Sequence, residues 1–584
     1  MRNTHSGPSL SLRAVSGSHV VVLAWDLKKS DFDTTDLLGF ALERTEMKGS
    51  TVVERYFLRG IKRFKDKDKG LPAGTPVPTS EHPIQTFQWG DYTPEPSTDY
   101  VYRLVPVTGQ PKALTLRDDL AVSVEITTEP LYGKTHSVFF NRGVAGSQAY
   151  ARQFPDPTPK TNDPSTPQMA WLSRGLYEAL AEYIGRAKNK HFSLRAALYE
   201  FHYNPVGMLF RAAVDRGVDA KILYDEPNYG TPNKAMIDHC GISKVCAPRK
   251  AGGAQKHNKF IVLLEDDKPI SVWTGSTNIS DGGIFGHSNV GHIVEDKDVA
   301  GEYLACWEAL CNANVPPPTS SKPFAQTRTD PAKAALVHRN DAATATPVGD
   351  LPKNSITTLF SPRDSKTLAW YAKQMAEAKE VVCFMVAFNL AADFEPFLKK
   401  QSDVLRFVLS DKHLKQGDLI TRDKDVVYAA GAKFEKNALP NFLQEKLTGL
   451  NHNLYIHNKF MLIDPLGEDP TTITGSANFS GNSQTNNDEN MLIIRSDQRV
   501  ADVYFGEFMR MFDHLYARYL TQKIKKEAKQ STTKKGKDSG GYLWPDSSWV
   551  AAHFGSGPKS RRREYFHGAW NPQVKVKTAG VGHH

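Results

Sequence analysis

Two short motifs that carry histidine, lysine, serine and asparagine occur twice in the chain. The sequence His-Asn-Lys-Phe fills residues 257–260 and returns at residues 457–460. A Gly-Ser-x-Asn-x-Ser pattern at residues 275–280 returns at residues 475–480, again 200 residues downstream. Because both motifs repeat in one register, we interpret them as the two copies of an internal duplication.

The side chains of the two copies together suit chemistry at a phosphate diester. Lys259 and Lys459 can hold the anion as point charges. Of the two histidines, His257 and His457, one can attack phosphorus while the other protonates the leaving oxygen. The sequence leaves open which histidine is the nucleophile. We therefore predict a single site to which both copies contribute.

The pattern of apolar residues indicates the elements that carry these side chains. An apolar run follows the lysine in each copy, which predicts a buried strand with His and Lys near its start. The Gly-Ser-x-Asn pattern predicts a turn after the next strand. Strands and helices alternate in each half, which predicts an α/β fold with mostly parallel sheets flanked by helices. Two βαβ repeats would then form a pseudo-twofold dimer with the site at the seam. Asp225 and Asp411, at equivalent strand ends, would serve as caps or in turns, with an orientation towards the cleft as the alternative.

These motifs resemble the signature of the phospholipase D superfamily, which is His-x-Lys-x4-Asp followed by Gly-Ser-x-Asn. The first copy departs from it, because Leu264 stands at the aspartate position and Glu265 follows. The resemblance covers roughly residues 168–520. The second copy matches in full, with His457, Lys459, Asp464, Gly475, Ser476 and Asn478.

The resemblance implies a two-step displacement at phosphorus through a phosphohistidine, without a metal or any other cofactor. Glu489 would orient a histidine, whereas the stretch aligned in the first copy has Gly291 there. Because only one histidine then has an anionic neighbour that favours imidazolium, the two should titrate differently. Asp464 is expected to brace a strand start or turn. The residues expected to bind the nonbridging phosphate oxygens are Lys259, Lys459, Asn278, Asn478, Ser276 and Ser476.

Composition limits the setting in which the protein works. The chain has 584 residues, a net charge of +9 and a pI near 9.0, which favours an anionic partner such as nucleic acid or a membrane surface. Five cysteines are too few for a disulfide framework in a chain of this length. The longest apolar run, residues 381–392, is too short to span a bilayer, and no signal-peptide core is apparent. We expect a cytoplasmic protein, with peripheral membrane contact as an alternative.

Changes in composition along the chain predict six segments. Strand-like runs separated by polar and Pro/Gly-rich stretches predict an all-β sandwich at the N-terminus, which resembles a fibronectin type III module. Lysines beside aromatic residues in the tail favour contact with nucleic acid or a membrane, or docking of the tail on the core. The segments are the sandwich (1–130), a Pro-rich connector (131–167), a first half (168–315), a surface linker (316–355), a second half (356–520) and a basic, aromatic tail (521–584).

Three functions are compatible with these features. The first is hydrolysis of phospholipid headgroups by an enzyme of the phospholipase D type. The second is a metal-independent nuclease whose lysines follow a nucleic-acid backbone. The third is an inactive phosphodiester-binding protein, suggested by the missing carboxylates of the first copy. No obligate oligomer is implied.

Overall fold

The structure is a computed structural model in which part of the chain is described. The described residues are 1–28, 33–67, 70–71, 75–143, 147–154, 159–250, 254–312, 322–344, 351–364, 366–388, 390–400, 402–414, 426–431, 456–530 and 542–568.

The N-terminal region consists of antiparallel sheets. One sheet has the strand order β1-β2-β3-β8, and a second has the order β10-β9-β4-β5 with β11 also pairing with β9. Strands β6 and β7 pair separately. The strands are β1 (Arg2–Ser6), β2 (Leu10–Ser16), β3 (Val21–Leu27), β4 (Leu37–Lys48), β5 (Thr51–Phe57), β6 (Arg59–Gly60), β7 (Val77–Pro78), β8 (Gln88–Asp91), β9 (Asp99–Gln110), β10 (Ala113–Leu116) and β11 (Val122–Thr127).

The first half is built on a seven-stranded sheet within the described residues. Its strand order is β12-β18-β17-β16-β13-β14-β15. The strands are β12 (His136–Phe140), β13 (Phe192–Leu198), β14 (Asp219–Asp225), β15 (Cys246–Arg249), β16 (Lys259–Glu265), β17 (Lys268–Gly275) and β18 (Val290–Val294). The helices are α1 (Ser147–Gln153), α2 (Pro167–Ser173), α3 (Leu176–Gly185), α4 (Asn204–Asp215), α5 (Gly230–His239), α6 (Lys297–Cys311) and α7 (Lys333–Ala343).

The second half contains a sheet with the corresponding order, β19-β25-β24-β23-β20-β21-β22. Its strands are β19 (Ile356–Ser361), β20 (Val381–Val386), β21 (Leu405–Ser410), β22 (Val426–Ala430), β23 (Phe460–Ile463), β24 (Thr471–Gly475) and β25 (Glu489–Arg495). The remaining helices are α8 (Lys366–Glu377), α9 (Glu395–Lys399), α10 (Gly481–Thr485), α11 (Gln498–Gln530) and α12 (Pro558–His567). The expectation of a mixed α/β fold is confirmed.

The prediction of mostly parallel sheets is wrong. In the first half only the pairs β13–β14 and β14–β15 are parallel, and the corresponding pairs β20–β21 and β21–β22 are parallel in the second. The strand that carries the His-Lys motif instead runs antiparallel to both neighbours. Asp266 and Asp267, both at positive φ, form a tight turn between β16 and β17. A turn this short joins only antiparallel strands.

The segments predicted to be a connector and a linker contribute ordered elements. Strand β12 lies in the predicted connector and pairs with β18 at one edge of the first sheet. Helix α7 lies in the predicted linker, where Asp330 also pairs with Arg249 of the first half. The helical stretch that begins at Pro167 is interrupted, because Arg174 and Gly175 adopt left-handed conformations between α2 and α3. Both elements are short, and the partner of β12 lies far away in the chain, so local periodicity did not reveal them.

One core joins the two halves. Phe260 on β16 and Phe460 on β23 belong to the same buried cluster, together with aromatic residues of helices α6 and α11. Across the boundary, Thr274 Oγ1 donates a hydrogen bond to Asn490 Oδ1 at 2.6 Å. The two motif strands are therefore held in a fixed relation by packing and by buried polar contacts.

The described part of the tail packs against the N-terminal sheets. Trp549 Nε1 donates to the carbonyl of Leu37 at 3.1 Å, and its ring lies edge-on to Phe40. Tyr565 and Phe566 of α12 are also buried. These rings favour the docking alternative for the tail. The lysine-rich run at residues 523–537 falls on side chains outside the description, as does Trp570.

No helix in the described ranges combines the length and the apolar character needed to cross a membrane.

Candidate functional site

Each half fixes its histidine through the carboxylate at the end of a neighbouring strand. Asp225 Oδ1 accepts a hydrogen bond from the backbone N–H of Lys256, and Asp411 Oδ1 accepts one from Ile456, both at 2.9 Å. The residue that receives the bond immediately precedes His257 or His457 in the chain. The aspartates thus tie the approach to each motif to the parallel strands beside it, and burial raises the pKa of Asp411 to about 6.

The structure brings the two motif histidines together. The ring centroids of His257 and His457 lie 6.5 Å apart, and both side chains are buried. His257 Nδ1 donates to Glu489 Oε2, and His457 Nδ1 donates to Asn289 Oδ1, each at 2.8 Å. Since each bond crosses between the halves, neither half can orient its histidine alone. Neither Nε2 atom has a hydrogen-bond partner among the described residues, so both can meet a reactant.

Asn289, rather than Gly291, occupies the position that corresponds to Glu489. It lies 200 residues before Glu489, the same offset that separates the motifs, so the alignment with Gly291 is wrong. The two histidines therefore have acceptors of similar size but different charge. This residue was overlooked in the sequence, although the fixed offset leads to it directly.

Hydrogen bonds fix the orientation of the Asn289 amide. Its Nδ2 donates to the carbonyl of Gly283 at 2.7 Å, and its Oδ1 accepts from Ser276 Oγ at 2.8 Å. The oxygen is thus the atom that faces His457, and the imidazole must carry a hydrogen on Nδ1.

The two serines hold these acceptors. Ser476 Oγ donates to Glu489 Oε2 at 2.7 Å, in the same way that Ser276 Oγ donates to Asn289. Each serine oxygen also accepts a backbone N–H, from Asn490 and Val290 respectively. Because the hydroxyl hydrogens are engaged, this geometry favours a positioning role for Ser276 and Ser476 over the predicted phosphate contact.

Each motif lysine reaches back to its own histidine. Lys259 Nζ donates to the carbonyl of His257 at 2.7 Å, and Lys459 Nζ donates to that of His457 at 2.6 Å. Lys259 lies over the ring of Tyr199, and Lys459 lies over the ring of Phe388. Both lysines are buried.

Burial controls protonation at the site. It lowers the pKa of Lys259 to about 8 and that of Lys459 well below its usual value, with the neighbouring lysine contributing to the latter. It lowers the pKa of His257 to about 4, although Glu489 opposes this shift. The pKa of His457 is also well below its usual value, and Lys459 adds to the effect of burial. The sequence predicted that an anionic neighbour would favour imidazolium, but at His257 desolvation outweighs Glu489.

The next residues of the site are Asn278 and Asn478, the asparagines of the two Gly-Ser-x-Asn motifs. Asn278 Nδ2 donates to Glu200 Oε1 at 2.6 Å, while the Oδ1 atoms of Asn278 and Asn478 have no hydrogen-bond partner among the described residues. Glu200 escaped the sequence analysis because it lies outside the repeated motifs and only the folded chain brings it to Asn278.

Asp464 lies at the opposite end of strand β23 from the histidine. Its carboxylate accepts hydrogen bonds from the backbone N–H groups of Lys379, Glu380 and Val381 at 2.8–3.0 Å. It thereby holds the start of β20, as the expected bracing role requires. A cavity of about 1080 Å³ adjoins Asp464 on this side, between strand β1 and helix α12.

An ion pair connects the segments that carry His257 and Glu489. Arg249 Nη2 donates to Asp488 Oδ2 at 2.7 Å, and both side chains are buried. The backbone N–H of Asp488 donates to the carbonyl of Gln255 at 3.0 Å. This contact joins residues 255–257 to residues 487–489. These two segments carry His257 and Glu489, whose side chains are hydrogen-bonded to each other.

The described residues contain no cluster of three or more His, Cys, Asp or Glu side chains arranged to hold a metal ion. The cofactor-free reaction stays a prediction.

Comparison with known proteins gives a family-model match over part of the second half of the chain. Residues 408–512, which include His457, Lys459 and Glu489, match a family model described as cardiolipin synthase, phospholipase D-like domain. No curated protein sequence matches the chain.

Solved structures give distant likenesses. Phosphatidylserine synthase from Haemophilus influenzae is 13% identical at a TM-score of 0.39, and the match covers 61% of this chain and 91% of that one. The phospholipase D family member Nuc from Salmonella typhimurium is 18% identical at a TM-score of 0.21, and the match covers 28% of this chain and 95% of that one. Yeast tyrosyl-DNA phosphodiesterase is 13% identical at a TM-score of 0.29, and the match covers 55% of this chain and 88% of that one. At TM-scores below 0.5, these likenesses carry no argument about substrate.

Proposed function

We propose that the protein is a phosphodiesterase that works through a covalent phosphohistidine. The proposal rests on one observation above all. Two buried histidines face each other at a centroid distance of 6.5 Å, and each is held at Nδ1 by a residue of the opposite half. Both Nε2 atoms can then act on opposite sides of one phosphorus atom, with a motif lysine beside each ring.

His257 is the nucleophile in this proposal. Its Nδ1 hydrogen is engaged by Glu489, and its low pKa keeps Nε2 unprotonated at neutral pH. The Glu489 carboxylate stabilises the positive charge that develops on the ring during attack. Nε2 forms a bond to phosphorus, and the bond between phosphorus and the leaving oxygen breaks.

His457 is the general acid and then the general base. It gives the Nε2 proton to the leaving oxygen, and the anionic substrate supplies the field that keeps this imidazole protonated on binding. In the second step Nε2 accepts a proton from water, the water oxygen bonds to phosphorus, and the bond to His257 breaks. Asn289 orients the ring without adding a charge that would hold the proton too firmly.

The two lysines stabilise the nonbridging oxygens. Lys259 and Lys459 are desolvated before substrate arrives, so their interaction with an anion is strong and needs little reorganisation. Asn278 and Asn478 assist as neutral donors. Ser276 and Ser476 act by holding Asn289 and Glu489 rather than by touching phosphate.

The organisation of the chain fits a duplicated enzyme with an added module. We propose that the halves around the two seven-stranded sheets form a pseudo-twofold pair, because their strand orders correspond and their acceptors are exchanged. The N-terminal sheets would form a β-sandwich module on which the tail docks. We also propose that β12, which pairs with β18, belongs to the first half. A cytoplasmic location and a peripheral contact through the basic tail stay predictions.

Phospholipid is the first candidate substrate, because the matching family model is named for cardiolipin synthase. A metal-independent nuclease is the alternative, and the net charge of +9 suits a nucleic-acid backbone. An inactive phosphodiester-binding protein is the least supported alternative, since both histidines and both lysines converge.

Parallel assays test the proposal. Purified protein with EDTA is incubated with vesicles of anionic and choline phospholipids, and separately with single- and double-stranded DNA and RNA. His457→Ala should abolish the activity, and His191→Ala, which alters an exposed histidine at 59% exposure, should retain it. Release of headgroup supports the lipase function, and strand cleavage supports the nuclease. Activity that survives His457→Ala, or no activity on any substrate, contradicts the proposal.

A further inference from the structure

A second carboxylate, that of Glu200, lies at the site and takes no part in the mechanism above. The residue follows β13, and its backbone carbonyl accepts a hydrogen bond from Ile279 at 2.9 Å. Oε1 accepts from Asn278 Nδ2 and Oε2 accepts from Ser280 Oγ, both at 2.6 Å. Tyr229 hydrogen-bonds to the same carboxylate. Glu200 is thus fixed against the residue that is expected to meet a nonbridging phosphate oxygen.

The charge of Glu200 acts on both motif lysines. It raises the pKa of Lys259, which belongs to the first copy, and that of Lys459, which belongs to the second. Only a carboxylate near the place where the copies converge can affect both. The geometry around Asn278 and the shared effect on the lysines agree on this position.

Carboxylates therefore surround the two motif lysines. Glu489 and Glu200 act on both lysines, while Asp225 and Asp411 each act on one of them. A phosphodiester has one negative charge, whereas a phosphomonoester has close to two at neutral pH because its second pKa is about 6. In a desolvated site, the extra charge of a monoester is repelled by a fixed carboxylate.

We propose that Glu200 is a specificity-determining residue that disfavours dianionic phosphate groups at the site. It directs the protein to monoanionic diesters and promotes release of the dianionic monoester that hydrolysis produces. The inference rests on the proposed function, since it assumes that the histidine pair binds a phosphoryl group.

The Glu200→Gln variant isolates the charge. The amide keeps an oxygen that can accept from Asn278 and nearly the same volume. Ser280→Ala is the matched control, because it removes one hydrogen bond to Glu200 and leaves the carboxylate charged.

Calorimetric titration tests the inference without relying on turnover. At pH 7, phenyl phosphate is the dianionic probe and diethyl phosphate is the monoanionic probe. Glu200→Gln should bind phenyl phosphate roughly tenfold more tightly than wild type and change diethyl phosphate affinity much less. Ser280→Ala should keep the wild-type ratio. Equal changes for both probes, or no change, would overturn the inference and leave the proposed function standing.

Two further outcomes keep the conclusions separate. If neither probe binds wild type or either variant, the site holds no phosphoryl group, and the proposed function fails together with the inference. If Glu200→Gln does not fold, Glu200→Ala, which also removes the charge, takes its place in the same titration. It should raise the affinity for phenyl phosphate several-fold relative to that for diethyl phosphate. An unchanged ratio of the two affinities would overturn the inference.

Discussion

Glu489, in the second half, accepts a hydrogen bond at 2.8 Å from Nδ1 of His257 in the first half. At the corresponding position of the first half, Asn289 accepts one from His457 at the same distance. The exchange makes the orientation of each histidine depend on the other half. It also gives the two rings different electrostatic partners, which is the physical basis for assigning them different roles.

Replacing Glu489 by Gln should lower turnover by roughly 10²-fold or more, in the range typical of acid–base partners. The amide preserves the size of the side chain but removes the charge that stabilises the developing imidazolium. Steady-state kinetics would measure the effect, on whichever substrate the parallel assays show to be cleaved. Turnover near that of wild type would remove Glu489 from the mechanism.

Asn289→Ala should impair mainly the protonation of the leaving group. His457 loses its only described Nδ1 acceptor, so the general acid is misaligned while the Glu489 bond to His257 is kept. We expect a loss of roughly 10²-fold with an alkoxide leaving group and a much smaller loss with p-nitrophenolate, which needs no proton. A comparison of kcat/KM for the two substrates decides this. An equal loss on both would assign Asn289 a role in attack or in folding instead.

The pH dependence of kcat/KM should be bell-shaped. Activity should rise as pH increases through about 4, where the buried His257 loses its proton and becomes nucleophilic. It should fall at higher pH as the buried His457, whose pKa is also low, loses the proton that it gives as the general acid, and fall further through about 8, where Lys259 loses its charge. Since Glu489 raises the pKa of His257, the Gln variant should move the acid limb to lower pH. A shift of that limb to higher pH would contradict this electrostatic account.

Two buried ion pairs offer a comparison between positioning and stability. Asp488 pairs with Arg249 beside the site, while Glu507 pairs with Arg174 at 2.5 Å elsewhere in the core. Both Asp488→Asn and Glu507→Gln should lower the free energy of unfolding by about 3 kcal/mol. The first change leaves Arg249 with Asp330 as its carboxylate partner, and the second weakens the pairing of both Arg174 and Arg510.

Only the change at Asp488 should also lower kcat, by roughly tenfold, since that pair joins the segments that carry His257 and Glu489. Chemical denaturation and kinetics on both variants measure the two effects. A similar loss of kcat in Glu507→Gln would show that the Asp488 effect is general destabilisation.

The part of the site that lies in the repeated motifs could be predicted from the sequence. The common offset of 200 residues identified both histidines, both lysines and the Gly-Ser-x-Asn turns. The same offset would have reached Asn289, but matching the local Asn-x-x pattern led to Gly291 instead. The crossed pairing of His257 with Glu489 spans 232 residues and is set by tertiary packing, which local patterns do not encode.

The fold departs from the prediction where packing overrides local pattern. Periodicity located β13, β14, β20 and β21, but the direction of the motif strand depended on the short turn at Asp266 and Asp267. Strand β12 was missed because its partner lies about 150 residues away in the chain. Ser276 and Ser476 show the same limit of local patterns. Their residue type predicted a hydrogen-bond donor, but only the folded structure showed that Asn289 and Glu489 are the acceptors.

The most direct test of the central claim is to identify the residue that carries the covalent phosphoryl group. A His457→Asn variant, which lacks the group that activates water, is mixed with a p-nitrophenyl phosphodiester and quenched in alkali, where a phosphoramidate bond survives. Mass spectrometry of the digested protein should locate the adduct on the peptide that contains His257. An adduct on another residue, or turnover in this variant without any adduct, would contradict the proposed mechanism.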